Sequence, residues 1–223
     1  MIIAFSGAKF AGKDTAAEIL IKKHKFKRVG LADKLKDICS SVFSVERAHM
    51  DDPCLKEKPF ESTVTITEKN IEDLFKIIQA DGFEFNYDLV LQNACKSFEG
   101  KELASIRDML QIVGTNICRT YVTDDIWLLY IKSMVKDPCD NFVVTDARFK
   151  NERDFFKSIG ALLVLVKRPS NLQTSSHISE NQLGEDSEYD VLVTNDTTVT
   201  ALQSGIDLWF GIKQYDIISN FRK

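Results

Sequence analysis

The first residues are apolar without interruption. Ile2-Ile3-Ala4-Phe5 is too short for a helix and runs into Ser6-Gly7, so it is read as a buried strand. From about Lys13 to His24 the spacing becomes helical, with Ala17, Leu20 and Ile21 on the buried side. A short strand is expected over Lys27–Leu31, after which Asp33 caps a helix carrying Leu35, Ile38 and Val42 at helical spacing. Glu46–Thr67 breaks the pattern: it holds Pro53, Pro59 and many charges with little periodicity, and is expected to be a long irregular connection. Helical spacing returns near Ile71–Ala80 and Leu89–Phe98, strongly over Glu102–Tyr121, and again over Asp124–Val135. Phe142–Asp146 is an apolar run ending in a carboxylate. A helix starts near Lys150, a strand covers Ala161–Val166, Ser170–Ser187 is a polar loop, Tyr189–Thr194 is a last strand and Val199–Ile212 a last helix.

Strands alternating with helices at both ends of the chain predict an α/β fold, an open parallel sheet covered by helices. The helical middle, about residues 46–122, reads as an insertion into one domain whose core is formed by about residues 1–45 and 123–223.

Composition narrows the class. The chain has 223 residues, 44% hydrophobic and 28% charged, enough for a substantial core and in the range of globular proteins. No apolar run approaches the roughly 18 residues that span a bilayer, and Met1–Ser6 lacks the basic start and cleavage pattern of a signal peptide. The five cysteines form no C-x-x-C pair and read as free thiols of a reducing cytoplasm, and the three histidines are too scattered to build a zinc site. A net charge of −4 argues against a large nucleic-acid surface, though not against a small basic pocket for phosphates.

The sharpest chemical signal is Gly7-Ala8-Lys9-Phe10-Ala11-Gly12-Lys13-Asp14-Thr15, with the G-x-x-x-x-G-K spacing of a phosphate-binding loop. Glycines let successive backbone N–H groups turn toward phosphate oxygens, the following helix offers its positive end, and Lys13 adds a full charge. The loop follows a strand and precedes a helix, as this mechanism requires. Asp14 replaces the usual hydroxyl residue, and the hydroxyl comes one place later as Thr15. Asp14 either holds magnesium through water or caps the helix.

A second carboxylate stands at the end of Phe142–Asp146. In parallel sheets the carboxyl ends of the strands gather beside the ligand, so Asp146 is a candidate for the magnesium sphere. Arg148 is the first candidate for the positive charge that phosphoryl transfer needs, and Glu152 follows in the next helix. In the stretch Glu102–Tyr121, Ile106, Leu110, Val113 and Ile117 make a core face. Beside them Arg107, Gln111, Gly114 and Thr115 make a polar stripe. Arg107 suits a phosphate, Gln111 suits a base edge, and Gly114 leaves room for close approach. Arg119 lies further round. Trp127 either stacks on a ligand or fills the core.

These features, taken in order, resemble the deoxynucleoside monophosphate kinases of large tailed bacteriophages. The resemblance runs through Ser6–Thr15, Leu31-Ala32 with Lys36, Asp52–Leu55, Arg107–Gln111 with Gly114-Thr115, Trp127, Thr145–Arg148, Gly160-Ala161, Arg168-Pro169, His177–Glu180 and Val193–Asp196. It implies a P-loop nucleoside monophosphate kinase fold with a parallel five-stranded sheet, an acceptor-binding helical insertion and a lid, for which Ser170–Ser187, with His177 and Glu180, is the candidate. It implies ATP and Mg²⁺, a dNMP acceptor, ADP and dNDP as products, a cytoplasmic location (the host cytoplasm if the chain is viral) and a possible homodimer, with neither a nucleic-acid polymer nor a membrane as partner. Carried over, Gly7, Gly12, Lys13, Asp14, Thr15 and Asn195 bind ATP. Lys13, Asp146 and Arg148 are catalytic, and Asp14, Thr15 and Asp146 face the metal, through water where needed. Lys36, Arg107, Gln111, Thr115, Arg119, Trp127 and Glu152 serve the substrate site. The sequence departs from the family at Phe10, where family loops often carry arginine; a weaker or rearranged triphosphate grip is expected, with Lys9 next to it. The alternatives are a P-loop kinase for another small acceptor, such as dephospho-coenzyme A, and a nucleotide-binding regulator without catalysis.

Overall fold

Strands buried on both faces need continuous apolar runs, and Ile3, Ala4 and Phe5 supply one; none exposes any surface. They belong to β1 (Ile2–Ser6) in a computed structural model that describes residues 1–8, 10–137, 139–147, 149–169, 183–196 and 198–220, the side chains as far as residue 212. β1 is the central strand of a parallel sheet ordered β2 (Lys27–Arg28), β5 (Phe142–Val144), β1, β6 (Leu162–Lys167), β7 (Val191–Thr194). Ala4 lies opposite Val144 on one side and Leu163 on the other. The five-stranded parallel sheet expected from the sequence is present, with β2 shorter than the expected Lys27–Leu31.

The chain divides into two compact units, Met1–Leu31 with Ile131–Lys223, and Ala32–Tyr130. The first contains the sheet, α1 (Lys13–His24), α8 (Lys150–Ser158) and α9 (Val199–Asn220). Its core joins Phe5, Ala17, Leu20 and Val164 to Leu202, Ile206 and Phe210 of α9. α1 ends where Lys25 turns left-handed (φ 57°) and returns its N–H to the Leu20 carbonyl, with Lys22, Lys23 and His24 complementing the negative end of the helix.

The second unit contains α2 (Asp33–Phe43), α3 (Pro53–Glu57), β3 (Pro59–Thr65), α4 (Glu68–Ala80), α5 (Tyr87–Phe98), β4 (Glu102–Ser105) and α6 (Ile106–Gln111). A π-helical segment, Ile112–Arg119, continues α6, and α7 (Ile126–Met134) leads the chain back to the first unit. Leu35, Ile38, Phe75, Ile78, Met109 and Val113 are buried here.

Two expectations are corrected in this unit. Glu46–Thr67 is not irregular: Arg47–Met50 forms a 3₁₀ turn, α3 follows, and β3 pairs antiparallel with β4, Val64 opposite Leu103. Nor is Glu102–Tyr121 one α-helix. Its first residues form β4, and Ser105 ends the strand by capping α6, its hydroxyl accepting from the Asp108 N–H at 3.2 Å. Leucine and alanine in β4 favour helix in isolation; pairing with β3 overrides that preference.

Candidate active site

The phosphate loop is shaped by two glycines at positive φ, Gly7 at 146° and Gly12 at 105°. A Cβ on Gly7 would lie 2.4 Å from the Val166 carbonyl oxygen, and one on Gly12 would lie 2.6 Å from Asn195 Nδ2. Both positions are closed to other residues by geometry and by space. Between them Phe10 also has positive φ, 64°, and its side chain is 75% exposed.

Lys13 opens α1 but is almost completely buried, and its Nζ donates to the Gly7 and Ala8 carbonyls, each at 2.7 Å. The ammonium therefore lies over the loop whose N–H groups and helix end attract an anion. Asn195, buried after β7, donates Nδ2 to the Ala11 carbonyl at 2.8 Å and its backbone N–H to Lys167 at 2.7 Å. It braces the loop from the next strand but one. Asp14 is exposed in the first turn of α1 and Thr15 is half-buried. The N-cap is Gly12, without a side-chain bond, so Asp14 does not fill the capping role the sequence left open to it.

Asp146 follows β5 and is half-buried, its Oδ1 accepting from the Leu31 N–H at 3.5 Å. The Ser6 hydroxyl donates to the Ala147 carbonyl, tying the residue before Gly7 to the residue after Asp146. The two motifs are therefore neighbours. Arg148, Lys9, and His177 and Glu180 of the candidate lid lie outside the described residues. Glu152 is buried and its Oε2 accepts from the Phe149 N–H at 3.0 Å, closing the first turn of α8.

A cavity of about 380 Å³ adjoins the loop, lined by Ala8, Val166, Arg168, Pro169, Gly184 and Thr194. Gly184, with Leu183 and Asp186 on the same wall, is in the described end of the candidate lid. Arg168 Nη1 is 3.5 Å from the Phe10 carbonyl, which places a guanidinium on the loop where Phe10 supplies no charge. Sequence reading did not single out Arg168 for the site. A wider cleft of about 550 Å³, against His24, Asp207 and Leu208, contains no motif residue.

In the second unit, Lys36 is buried and donates to Asp51 Oδ1 at 2.7 Å, and Arg107 Nε donates to Glu57 Oε1 at 2.5 Å. Gln111 and Thr115 are exposed; Arg119 Nη1 stands 3.9 Å from Asp124. Trp127 is buried, donates Nε1 to the Gly114 carbonyl at 3.1 Å and stacks on Tyr130, so of its two sequence roles it takes the core one. The room at Gly114 is likewise filled from within: a Cβ there would meet Leu35 Cδ2 at 2.5 Å. One charged residue was missed altogether. Lys56 lies half-buried in α3, close enough to Lys36 and Arg107 for their charges to act on it.

Among the described residues no group of three or more His, Cys, Asp or Glu is placed to hold a metal by itself, and no helix is long and apolar enough to cross a membrane. Thr15 offers a hydroxyl and Asp146 a carboxylate, oxygen donors of the kind magnesium takes, one or two at a time, together with waters and substrate phosphates.

The family model for deoxynucleotide monophosphate kinase matches residues 1–79 and 60–206. A protein of Acanthamoeba polyphaga mimivirus, provisionally named a deoxynucleotide monophosphate kinase, is 28% identical over 208 residues, 92% of this chain and 94% of its own. The deoxynucleotide monophosphate kinase of Enterobacteria phage T4 is 26% identical over 236 residues (92% and 96%). The deoxynucleoside-5′-monophosphate kinase of Escherichia phage T5 is 27% identical over 186 residues (73% and 74%). Among solved structures, a dephospho-CoA kinase from Campylobacter jejuni covers 100% of this chain and 98% of its own at 11% identity, but a TM-score of 0.43 is too low to bear on fold or acceptor. With most of its length matched by one family model and by relatives of the same name, this chain belongs to the deoxynucleotide monophosphate kinase family, an α/β P-loop phosphotransferase family.

Proposed function

We propose that the first unit binds ATP and the second binds the dNMP, and that the γ-phosphoryl group passes directly from ATP to the dNMP. The observation that carries the reading is the phosphate loop: two glycines that admit no side chain, with a buried Lys13 ammonium 2.7 Å from the loop carbonyls.

An oxygen of the dNMP 5′-phosphate attacks the γ-phosphorus. The bond from that phosphorus to the β,γ-bridging oxygen breaks, leaving dNDP and ADP. The acceptor oxygen is already ionised, so the protein's work is positioning and charge neutralisation. Loop N–H groups and Lys13 hold the β- and γ-phosphates, and Asn195 keeps the loop in shape. Arg148 neutralises charge on the transferring group. Thr15 and Asp146 would hold magnesium, directly or through water, with Asp14 beside them. Held there, magnesium would supply positive charge to the phosphates. Arg168 faces the triphosphate from the edge of the loop, and Thr194 and Gly184 face the nucleoside part of ATP in the cavity beside it. Lys36 and Arg107 take the acceptor phosphate, and Gln111, Thr115 and Arg119 face the deoxynucleoside. Trp127 supports that wall from behind, and Glu152 orients the start of α8, just after Arg148.

The test is ADP release from ATP and Mg²⁺ with dNMPs, NMPs and dephospho-coenzyme A offered separately. Turnover that depends on one or more dNMPs is expected. Turnover with dephospho-coenzyme A alone, or with no acceptor at all, would overturn the assignment.

A further inference from the structure

α3 is only five residues long, yet its position is well determined. Asp52 caps it, Oδ1 accepting from Cys54 N–H at 2.7 Å and Leu55 N–H at 3.2 Å, and Pro53 occupies its first position. The helix packs against α6 and against the 3₁₀ turn Arg47–Met50. Lys56 is thereby placed among charges from three other segments. Lys36 comes from α2, Arg107 from α6 and Asp51 from the end of the turn, while Glu57 is its own neighbour in α3.

The pairing around Lys56 leaves its ammonium over. Lys36 is paired with Asp51, and Arg107 with Glu57. Asp51 is shared further with Arg47, which also reaches Asp37 at 2.8 Å and Asp33 at 3.4 Å. Lys56 is half-buried, and among the described residues its ammonium has neither a hydrogen bond nor an ion pair. Burial first, then the like charges of Lys36 and Arg107, hold it below the usual lysine range against the pull of Asp51 and Glu57. With Asp51 and Glu57 already engaged by Lys36, Arg47 and Arg107, a half-buried ammonium left without a partner costs the folded state free energy, an arrangement typical of a site that receives an anion.

We propose that Lys56 completes a three-cation seat with Lys36 and Arg107 for the 5′-phosphate of the acceptor nucleotide, with Glu57 and Asp51 as the counter-ions that the phosphate displaces. The inference rests on the reading that the second unit binds the dNMP. A phosphate monoester is nearly dianionic at neutral pH and offers three oxygens, enough for the Arg107 fork and both ammonium groups. A deoxynucleoside brings no such charge and gains nothing from Lys56.

The experiment compares full-length wild type with Lys56→Met and Lys56→Arg. It measures KM for the best dNMP, KM for ATP, and inhibition by the deoxynucleoside of that same base. Lys56→Met is expected to raise KM for the dNMP by about ten- to a hundredfold, the range for one hydrogen bond to a charged group. KM for ATP and inhibition by the deoxynucleoside stay at wild-type values, and Lys56→Arg recovers most of the loss. An active wild type with an unchanged dNMP KM in Lys56→Met overturns the seat and leaves the kinase reading standing. Equal weakening toward ATP or the deoxynucleoside means structural damage and overturns it as well. Absence of dNMP-dependent turnover in the wild type defeats the underlying reading, and the seat with it.

Discussion

Arg168 and Phe10 meet on the phosphate loop from opposite ends of the chain. Phe10 is 75% exposed in a left-handed conformation (φ 64°) and contributes an apolar ring and no charge. Arg168 Nη1 approaches the Phe10 carbonyl at 3.5 Å and lines the cavity beside the loop. Its guanidinium is exposed, so its attraction for a triphosphate is partly screened and worth about 1 kcal/mol. Arg168→Ala is accordingly expected to raise KM for ATP by about three- to tenfold and leave KM for the dNMP unchanged. ATP titration at saturating dNMP measures this, and an unchanged KM for ATP would remove Arg168 from the donor site. Gly7, Gly12 and Lys13 were legible from spacing alone because their work is local. Arg168 was not, since nothing near it in sequence announces the loop 158 residues away. Lys56 was hidden for a different reason: it lies in Glu46–Thr67, where two prolines and many charges obscured a capped helix and a strand.

The π-helical segment Ile112–Arg119 is the clearest case of an element set by its surroundings. Thr120 Oγ1 donates to the Thr115 carbonyl at 3.3 Å, and the Gly114 carbonyl accepts from Trp127 Nε1 at 3.1 Å. These bonds occupy carbonyls within the wider turn. Gly114 also gives space to Leu35 of α2. Gly114→Ala would gain about 1 kcal/mol in helix propensity, but it forces a Cβ to within 2.5 Å of a buried Leu35 methyl. Overpacking of this kind costs about 1–3 kcal/mol, so net destabilisation is expected, seen as a lower melting temperature. Leu35→Ala should relieve the contact, making the double variant more stable than the sum of the single losses predicts. Strict additivity would show that Leu35 is not what confines Gly114. The core face of this stretch was readable, since Ile106, Leu110, Val113 and Ile117 are all buried. Its change from strand to α to π was not. A signal for β3 did exist in the β-branched run Thr63-Val64-Thr65-Ile66-Thr67, and one for the α6 cap in Ser105 and Asp108.

At the scale of the whole molecule, charge linkage bounds the pH range of the fold. Burial would raise the Asp51 carboxyl, but its hydrogen bond and charge contact with Lys36, and then Arg47, bring it below the usual range. The Arg153 hydrogen bond lowers Glu188, and the Lys23 and His24 hydrogen bonds lower Asp207. Carboxyls lowered by folding stabilise the native state above their unfolded values, about 4, and that contribution is lost as pH falls through the lower folded values. Burial pushes the Cys39 thiol up to about 12 and Cys118 well above its ordinary range. The unfolded chain loses these protons first, so stability also declines as pH rises above about 8.5. Denaturant midpoints should therefore be level between about pH 5 and 8 and fall on both sides; a midpoint unchanged down to pH 3 would show that the acidic pairs contribute nothing. The strand–loop–helix that carries Gly7, Gly12 and Lys13, the apolar strand before Asp146 and the alternation that builds a parallel sheet are written in the order of residues along the chain. Apolar runs, helical periods and glycine turns act through near neighbours and remain visible in one dimension. Folding alone brings β3 beside β4, Leu35 into the space at Gly114, Asn195 against the loop, and Lys56 among Lys36, Arg107, Asp51 and Glu57. Each of those depends on burial and charge between segments far apart in the chain, where no local pattern records the partner.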